Sequence, residues 1–300
     1  MIKQEIYRRL KDLIKDEIRV KQIVLSSSFT GVVLDNEDMG MAMNVRSGCN
    51  ADARINDFLR GKVSSDGLAV AADLLESMDR FKGYADNHIL MHSVLVALYN
   101  ALSKPYMNEE YLHNEGCGVE FGIEEAPSSA VKSGETVTIV GFGGMVRPLS
   151  EVAGKIYVTE LEPSLFSSTL ISAQGVERGP NCCTLVPAEL GKEYFKRSDT
   201  IFVTGSTLVT DTMDKILEQC SGKNVIVYGM TAGFLPQPLL ERGVKKIRTS
   251  VVKDTDLMVS LLLNCAGAVE RFFPMATESM IITSTEQQPG AGANSKTTKN

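Results

Sequence analysis

Between residues 135 and 162 the chain reads ETVTIVGFGGMVRPLSEVAGKIYVTELE, and this stretch limits its fold more than any other. Val137, Ile139 and Val140 form a short β-branched run suited to a parallel strand covered on both faces. Gly141-Phe142-Gly143-Gly144 follows, then a helix-like segment, then a second apolar run ending at Glu160. Gly141 permits a tight turn, and Gly143 lets a ligand approach the backbone where a Cβ would obstruct it. A helix after such a turn aims its free N–H groups at an anion. Glu160 lies 19 residues after Gly141, near the spacing of about 20 at which an acid meets a ribose diol. The third glycine of G-x-G-x-x-G would fall at Val146, and Pro148 suits a first helical turn better than a helix interior. The unit reads as a Rossmann-like opening without a complete dinucleotide fingerprint. The competing reading is a tight βα turn that binds nothing.

The same alternation continues toward the C-terminus. Candidate strands are 136–140, 155–159, 182–186, 200–204, 224–228 and 246–250. Helices are expected over 147–153, 163–173, 188–196, 210–221, 235–241 and 254–272. Strands separated by helices in this way form a parallel, doubly wound sheet. The first hundred residues follow another pattern. Residues 2–17 place Ile2, Ile6, Leu10, Leu13 and Ile14 on one helical face. Runs at 19–27, 30–36 and 39–45, joined by very short turns, predict an antiparallel meander. Helices are expected at 66–78 and 86–103. Met39, Met41 and Met43 alternate and share one face, which a buried β surface explains. Residues 104–134 lack periodicity and read as an irregular connection. The expected organisation is an α+β domain with its connection over 1–130, a Rossmann-like domain over 131–283 and a disordered tail over 284–300.

Composition narrows the function. The chain has 300 residues, 43% hydrophobic and 23% charged, with a formal net charge of −6. That balance suits a soluble globular protein and disfavours nucleic acid as a partner. No apolar run is long enough for a membrane span, and the amphipathic N-terminus lacks the apolar core of a signal peptide, so a cytoplasmic location is expected. Six cysteines without regular spacing do not resemble a secreted disulfide framework. P-loop, G-x-S-x-G and C-x-x-C motifs are all missing from the sequence.

Ligands of parallel α/β sheets bind outside the carboxyl ends of the strands. Those ends carry Gly141–Gly144, Glu160 with Glu162, Thr204-Gly205-Ser206-Thr207, and Gly229-Met230-Thr231. Each alone could be an ordinary turn or helix cap. Together they describe a polar, glycine-lined crevice. Glu160, Glu162 and Asp211 are the candidate general acids or bases, and no nucleophile stands out. Asn44, Ser47 and Asn100 are candidate polar contacts from the N-terminal domain. Cys182 and Cys183 read first as one buried and one exposed thiol, since neighbours on a strand point to opposite faces. A role in soft-metal handling is the alternative. His88 and His92 have the i, i+4 spacing of a metal pair, but no third ligand is evident, and surface or core histidines are the simpler reading.

The segments VTIVGFGG, VTELEP, VTGSTLVTDT and VYGMTAGFLPQPLLERGVKKI, behind a meander-plus-helices domain, resemble the putative heavy-metal chelation family. The resemblance spans most of residues 1–275 and is most specific at 203–211. It implies an N-terminal domain similar to that of enolase, a Rossmann-like domain, and a ligand site between them. It also implies a role in making or handling metal chelators, pterins, flavins or related molecules. The β-turn at 229–232 reads Gly-Met-Thr-Ala where the family carries Gly-Pro-Ser, which alters the anion-binding geometry expected there.

Three readings follow. The first is an enzyme of condensation, hydrolysis or group transfer that binds a nucleotide-like or S-adenosyl compound in the glycine crevice. The second is a metal or metallo-cofactor binding and delivery protein using Cys182, Cys183, His88 or His92 on a divalent heavy metal. The third is an NAD(P)-dependent oxidoreductase. Expected partners are a small molecule, a metal ion and a second copy in a homodimer, with neither nucleic acid nor membrane.

Overall fold

The computed structural model describes residues 1–45, 53–78, 85–123 and 125–285, leaving aside the side chains of 85–87 and 266–268. Helix α1 (Ile2–Leu13) presents Ile2, Ile6 and Leu10 to the interior. The meander forms as expected: β1 (Val20–Leu25), β2 (Phe29–Leu34) and β3 (Met39–Met43) pair antiparallel in the order β1-β2-β3. Helices α2 (Ala53–Arg60), α3 (Gly67–Ser77) and α4 (Ala85–Ser103) follow. Asp66 caps α3 by accepting from the Ala69 N–H at 2.9 Å.

Helix α4 is apolar around its whole circumference, and Leu90–Leu102 are almost entirely buried. A helix of that composition belongs inside a core rather than on a surface. It packs on β2 and β3 through the face carrying Gly40 and Ala42, and its other sides meet α1 and α3. The opposite face of the meander buries Met39 and Met41 against Met258, Leu261 and Leu262. Those three belong to α10 (Thr255–Asn264), near the other end of the chain. The small sheet is therefore enclosed by its own helix on one face and by a C-terminal helix on the other, so all six residues of β2 are buried.

The large sheet has eight strands in the order β4-β13-β12-β11-β10-β5-β6-β9. Six are parallel: β5 (Thr136–Val140), β6 (Lys155–Glu160), β9 (Thr184–Pro187), β10 (Thr200–Thr204), β11 (Asn224–Tyr228) and β12 (Val244–Val252). Counted from β5, they lie 3-2-1-4-5-6, the order of the doubly wound nucleotide-binding sheet. The chain leaves β5 to one side for β6 and β9, then returns to the other side at β10. The reversal lies between the carboxyl ends of β5 and β10.

Several elements depart from the sequence reading. The connection at 104–134 contains α5 (Glu109–Asn114), capped by Asn108, and β4 (Cys117–Phe121). Strand β4 pairs antiparallel with β13 (Thr277–Ser284) at the sheet edge. β13 itself was not anticipated, and it pairs antiparallel with β12. The helix expected over 163–173 is a short 3-10 turn at Pro163–Phe166 followed by a hairpin, β7 (Ser168–Ser172) and β8 (Gly175–Gly179). Its β-branched and hydroxyl residues, with Gly175 at φ +139°, favour a hairpin over a helix. The last long helix ends at Asn264 and gives way to a 3-10 segment through Met275. Of the tail expected from 284, residues 286–300 lie outside the described residues.

Gly40 tests the helix–meander contact. A Cβ there would sit 2.7 Å from the carbonyl carbon of Asn100 and still closer to the Ala97 O and Ala101 N of α4. Backbone cannot yield as a side chain can, so Gly40→Ala should cost about 3 kcal/mol or more, at the upper end of overpacking effects. Urea unfolding of the two proteins measures it, and a change under about 1 kcal/mol would contradict the close approach.

Candidate functional site

The carboxyl ends of β5, β6, β10 and β11 bring the predicted crevice residues together. Gly141 leaves β5 with φ +88°, and its N–H donates to Thr159 O at 2.9 Å. A Cβ on Gly141 would press on Thr204 Cγ2 at 3.1 Å, so glycine is needed where the β5 and β10 ends converge. Gly143 and Gly144 are exposed, and an added Cβ at either meets nothing within 4 Å. The helix after the turn, α6 (Val146–Ser150), is only five residues long and has no side-chain cap. One and a half turns develop little dipole, so the strong anion site expected at this helix start is not built.

Glu160 organises the turn. One carboxylate oxygen accepts the Phe142 N–H at 2.9 Å and the other accepts the Leu161 N–H at 2.7 Å. The acid at the end of the second strand thus reaches back to the first turn. The Phe142 ring stacks on Phe166 with centroids 4.9 Å apart and planes 26° apart, giving the mouth an aromatic wall. Glu162 is exposed at the same end.

Across the reversal, Thr204 caps the turn that follows β10. Its hydroxyl lies 3.0 Å from Ser206 Oγ and accepts weakly from the Ser206 N–H at 3.4 Å. Thr207 donates to Thr204 O at 2.7 Å. Gly205 is required for packing: a Cβ there would lie 2.8 Å from Ala232 N, in the neighbouring turn. Tyr228 closes the floor, with burial pushing its hydroxyl pKa up, and its oxygen stands 3.5 Å from Val140 O.

The third turn, Gly229-Met230-Thr231, faces the N-terminal domain. Gly229 has φ +98°. Thr231 Oγ accepts the Met43 N–H at 3.0 Å. The Asn100 amide donates to Met41 O at 2.6 Å, Met230 O at 3.1 Å and Thr231 O at 3.2 Å. Asn100 therefore clamps the two halves together. Asn44, equally buried, is also committed to structure: its Oδ1 accepts from Thr30 Oγ at 2.6 Å and its amide donates to Ser26 O at 2.9 Å. Ser47 lies outside the described residues. A cavity of about 10 Å³ beside Asn100, lined by Met39, Met230 and Ser250, is water-sized. A larger, open cavity of about 530 Å³ lies at the start of β13, bounded by Phe273, Pro274 and the Lys253–Glu278 ion pair at 2.8 Å. Its volume suits a ligand, and Glu270 is the third charged group of its lining.

Asp211 is drawn away from acid–base work at the glycine turn by a partner the sequence reading missed. Lys3 of α1 is 2% exposed. Its ammonium lies 2.7 Å from Asp211 Oδ1 and also contacts His92 Nδ1. His92 Nε2 is in turn 3.1 Å from His88 Nε2. An ammonium can only donate, so His92 accepts at Nδ1 and carries its proton on Nε2, and His88 accepts at Nε2. The i, i+4 histidine pair is real in geometry and is engaged with a buried lysine. Asp211 holds φ +60° to reach it. Nothing in the local sequence separates Lys3 from the other charges of α1; only the tertiary fold places an ion pair over it.

Cys182 and Cys183 precede β9 rather than opening it. Cys182 is exposed and Cys183 half-buried. Burial, with the neighbouring Cys182 thiol adding to it, pushes the Cys183 pKa up to about 12. Among the described residues no three His, Cys, Asp or Glu side chains converge as a metal site. The two thiols offer half of a soft-metal set.

Burial lowers the Lys3 pKa, against the opposing pull of Asp211 and Asp214. Asp211→Asn keeps the left-handed backbone accessible and removes the carboxylate. The variant should lose about 1–2 kcal/mol at pH 7. The unfolded chain binds the Lys3 proton up to its ordinary pKa while the folded chain releases it earlier, so the deficit against wild type should shrink as pH rises toward 10. Urea titrations at pH 7 and pH 9.5 check both the size and the sign.

Two family models match the chain, both described as putative heavy-metal chelation, one over residues 127–280 and one over 7–103. An uncharacterized protein of Methanocaldococcus jannaschii is 26% identical over 188 residues, 60% of this chain and 62% of that one. The chain thus matches less than two thirds of that relative. Crystal structures of proteins of unknown function from Desulfitobacterium hafniense and Pyrococcus horikoshii superpose with TM-scores of 0.65 at 16% identity. Each match covers 94% of this chain, and 98% and 100% of those chains, and carries the two-part fold alone. With a family model spanning more than half of its length, from the segment ahead of β5 into the last strand, the chain belongs to the putative heavy-metal chelation family.

Proposed function

We propose that the protein binds a nucleoside-type small molecule, an S-adenosyl compound or a nucleotide, at the reversal between β5 and β10, and carries out group transfer on a metal-chelating metabolite. The observation that supports this reading most is Glu160, whose two oxygens reach the Phe142 and Leu161 N–H groups at the turn. A carboxylate there can accept from both hydroxyls of a ribose, while the Phe142–Phe166 pair offers an apolar face to a base. The short, uncapped α6 favours a nucleoside over a dinucleotide, since a pyrophosphate relies on a helix start. Group transfer is accordingly preferred to hydride transfer.

A second reading, soft-metal delivery, rests on the contact between the Cys182 and Cys183 thiols. Two thiolates would hold Cu(I) or Zn(II) only with ligands from the metabolite or another chain. Metal analysis of untagged protein tests it: stoichiometric metal that is lost in Cys182→Ser favours delivery.

Gly143 separates binding from folding. Its Cβ position is empty and its backbone is ordinary, so Gly143→Val should leave unfolding within about 0.5 kcal/mol of wild type. The valine would stand where a ligand must approach. Wild-type protein should bind S-adenosylmethionine or AMP by calorimetry, and Gly143→Val should weaken that at least tenfold. Binding of NAD(P) alone would favour the oxidoreductase reading, and unchanged affinity in Gly143→Val would move the site elsewhere.

A further inference from the structure

Strand β3 of the small sheet and β12 of the large one touch along edges that carry no further strand. β3 pairs only with β2. β12 pairs with β11 as far as Arg248 and with β13 as far as Val252, so one edge of residues 249–252 is left without a strand. The water-sized cavity beside Asn100 lies between these two edges, with Met39, Gly40 and Met41 on one side and Ser250, Val251 and Val252 on the other. Asn100, 5% exposed, reaches it from α4. Its amide nitrogen is held by the carbonyls of Met41, Met230 and Thr231, which fixes the other end of the amide as the oxygen. Among the described residues no group donates to that oxygen. Ser250 supplies a second acceptor. Its register partner Ser279 turns its O toward β4, where it accepts the Gly122 N–H at 2.9 Å, so the peptide of Ser250 turns away from β13 and toward the cavity. The two oxygens lie close together: a Cβ on Gly233, which lines the same cavity, would stand 3.4 Å from Ser250 O and 3.6 Å from Asn100 Cγ.

We propose that one buried water occupies this cavity and joins the two sheets, donating one hydrogen bond to Asn100 Oδ1 and the other to Ser250 O. Size and charge select water as the occupant. The cavity measures about 10 Å³, which holds one water and nothing larger. Both oxygens are acceptors, so the occupant must donate, and an anion is excluded. The charges nearby already balance, since Lys104 lines the cavity with its ammonium 3.1 Å from Asp38 Oδ1, so no cation is needed. An acceptor left unpaired in a dry interior is costly, and one bridging water removes that cost at two oxygens together. The water therefore ties α4 to β12 at the point where β3 meets the large sheet.

Oxygen-17 relaxation dispersion of solvent water, measured on the full chain, tests this with Gly233→Ala beside wild type. Gly233 has an ordinary φ of −82°, and its added methyl would stand between Ser250 O and the Asn100 amide, in the space the water needs. Wild type should hold one more long-lived internal water than the variant, and equal counts overturn the assignment. A high-resolution crystal structure of the wild type checks it without any substitution. A water within hydrogen-bond distance of both Asn100 Oδ1 and Ser250 O supports the bridge. No density between those oxygens, or an ion in place of the water, overturns it.

Discussion

The architecture depends on helix α4 being buried on every side. Its aliphatic residues from Leu90 to Leu102 fill one core shared by α1, α3, the meander and the loops after β10 and β11. At about 1.5–3 kcal/mol for each fully buried large side chain, this helix alone accounts for a large part of the gross hydrophobic term. Apolar contact is not directional, however. Orientation comes from the four polar side chains buried along the helix. His92 meets Lys3 of α1, and Ser93 donates to Met43 O at 3.2 Å. Asn100 holds three carbonyls from β3 and the turn after β11, while Ser103 accepts the Leu235 N–H at 3.2 Å. Each ties a different element to one rigid rod, and each would be costly to leave unpaired in a dry core.

That arrangement sets which turns can move. The Thr204–Leu208 and Gly229–Thr231 turns are packed on each other through Gly205 and Ala232, and the second is fastened to α4. The Gly141–Gly144 turn is held by Glu160, the Thr159 carbonyl, an aromatic stack and the packing of Phe142 on the core around β5 and β6. One wall of the crevice is thus rigid and the other is held by a few polar contacts. A carboxylate that accepts one N–H from the turn and one from its own strand end can also exchange one of them for a ligand hydroxyl at modest net cost, since each such exchange trades one hydrogen bond for another.

Much of this was legible in the residues. The period-2 methionines of β3, the strand–glycine junctions and the 19-residue spacing to Glu160 all reflect local rules of backbone geometry, and the structure keeps them. Non-local pairings were harder to read. Strand β4 is short, mixed in polarity and separated in sequence from its partner β13, so nothing local distinguishes it from a loop. Lys3 is the fully buried cation of its helix, and Asp211 with Asp214, more than two hundred residues away, makes its burial tolerable. Asn44 and Asn100 read as candidate polar contacts to a ligand, and it is tertiary contacts that turn both amides onto backbone carbonyls.

Two departures from the βα pattern adjoin the glycine turn: the short α6 and the arm formed by the β7–β8 hairpin. After β5 the crossover helix shrinks to five residues, and after β6 it is replaced by the arm. On the other side of β10 the sheet is covered by α4, the meander and α1, which share its core. A doubly wound sheet normally hides both faces under crossover helices, and the thin crossovers after β5 and β6 leave the glycine turn and the arm exposed together. Phe166 connects the two, since it opens the arm and its ring lies on Phe142 of the turn. Local rules tend to be broken where function competes with packing. Here the broken rules fall at the turn, the carboxylate behind it and the segment that leads away from both.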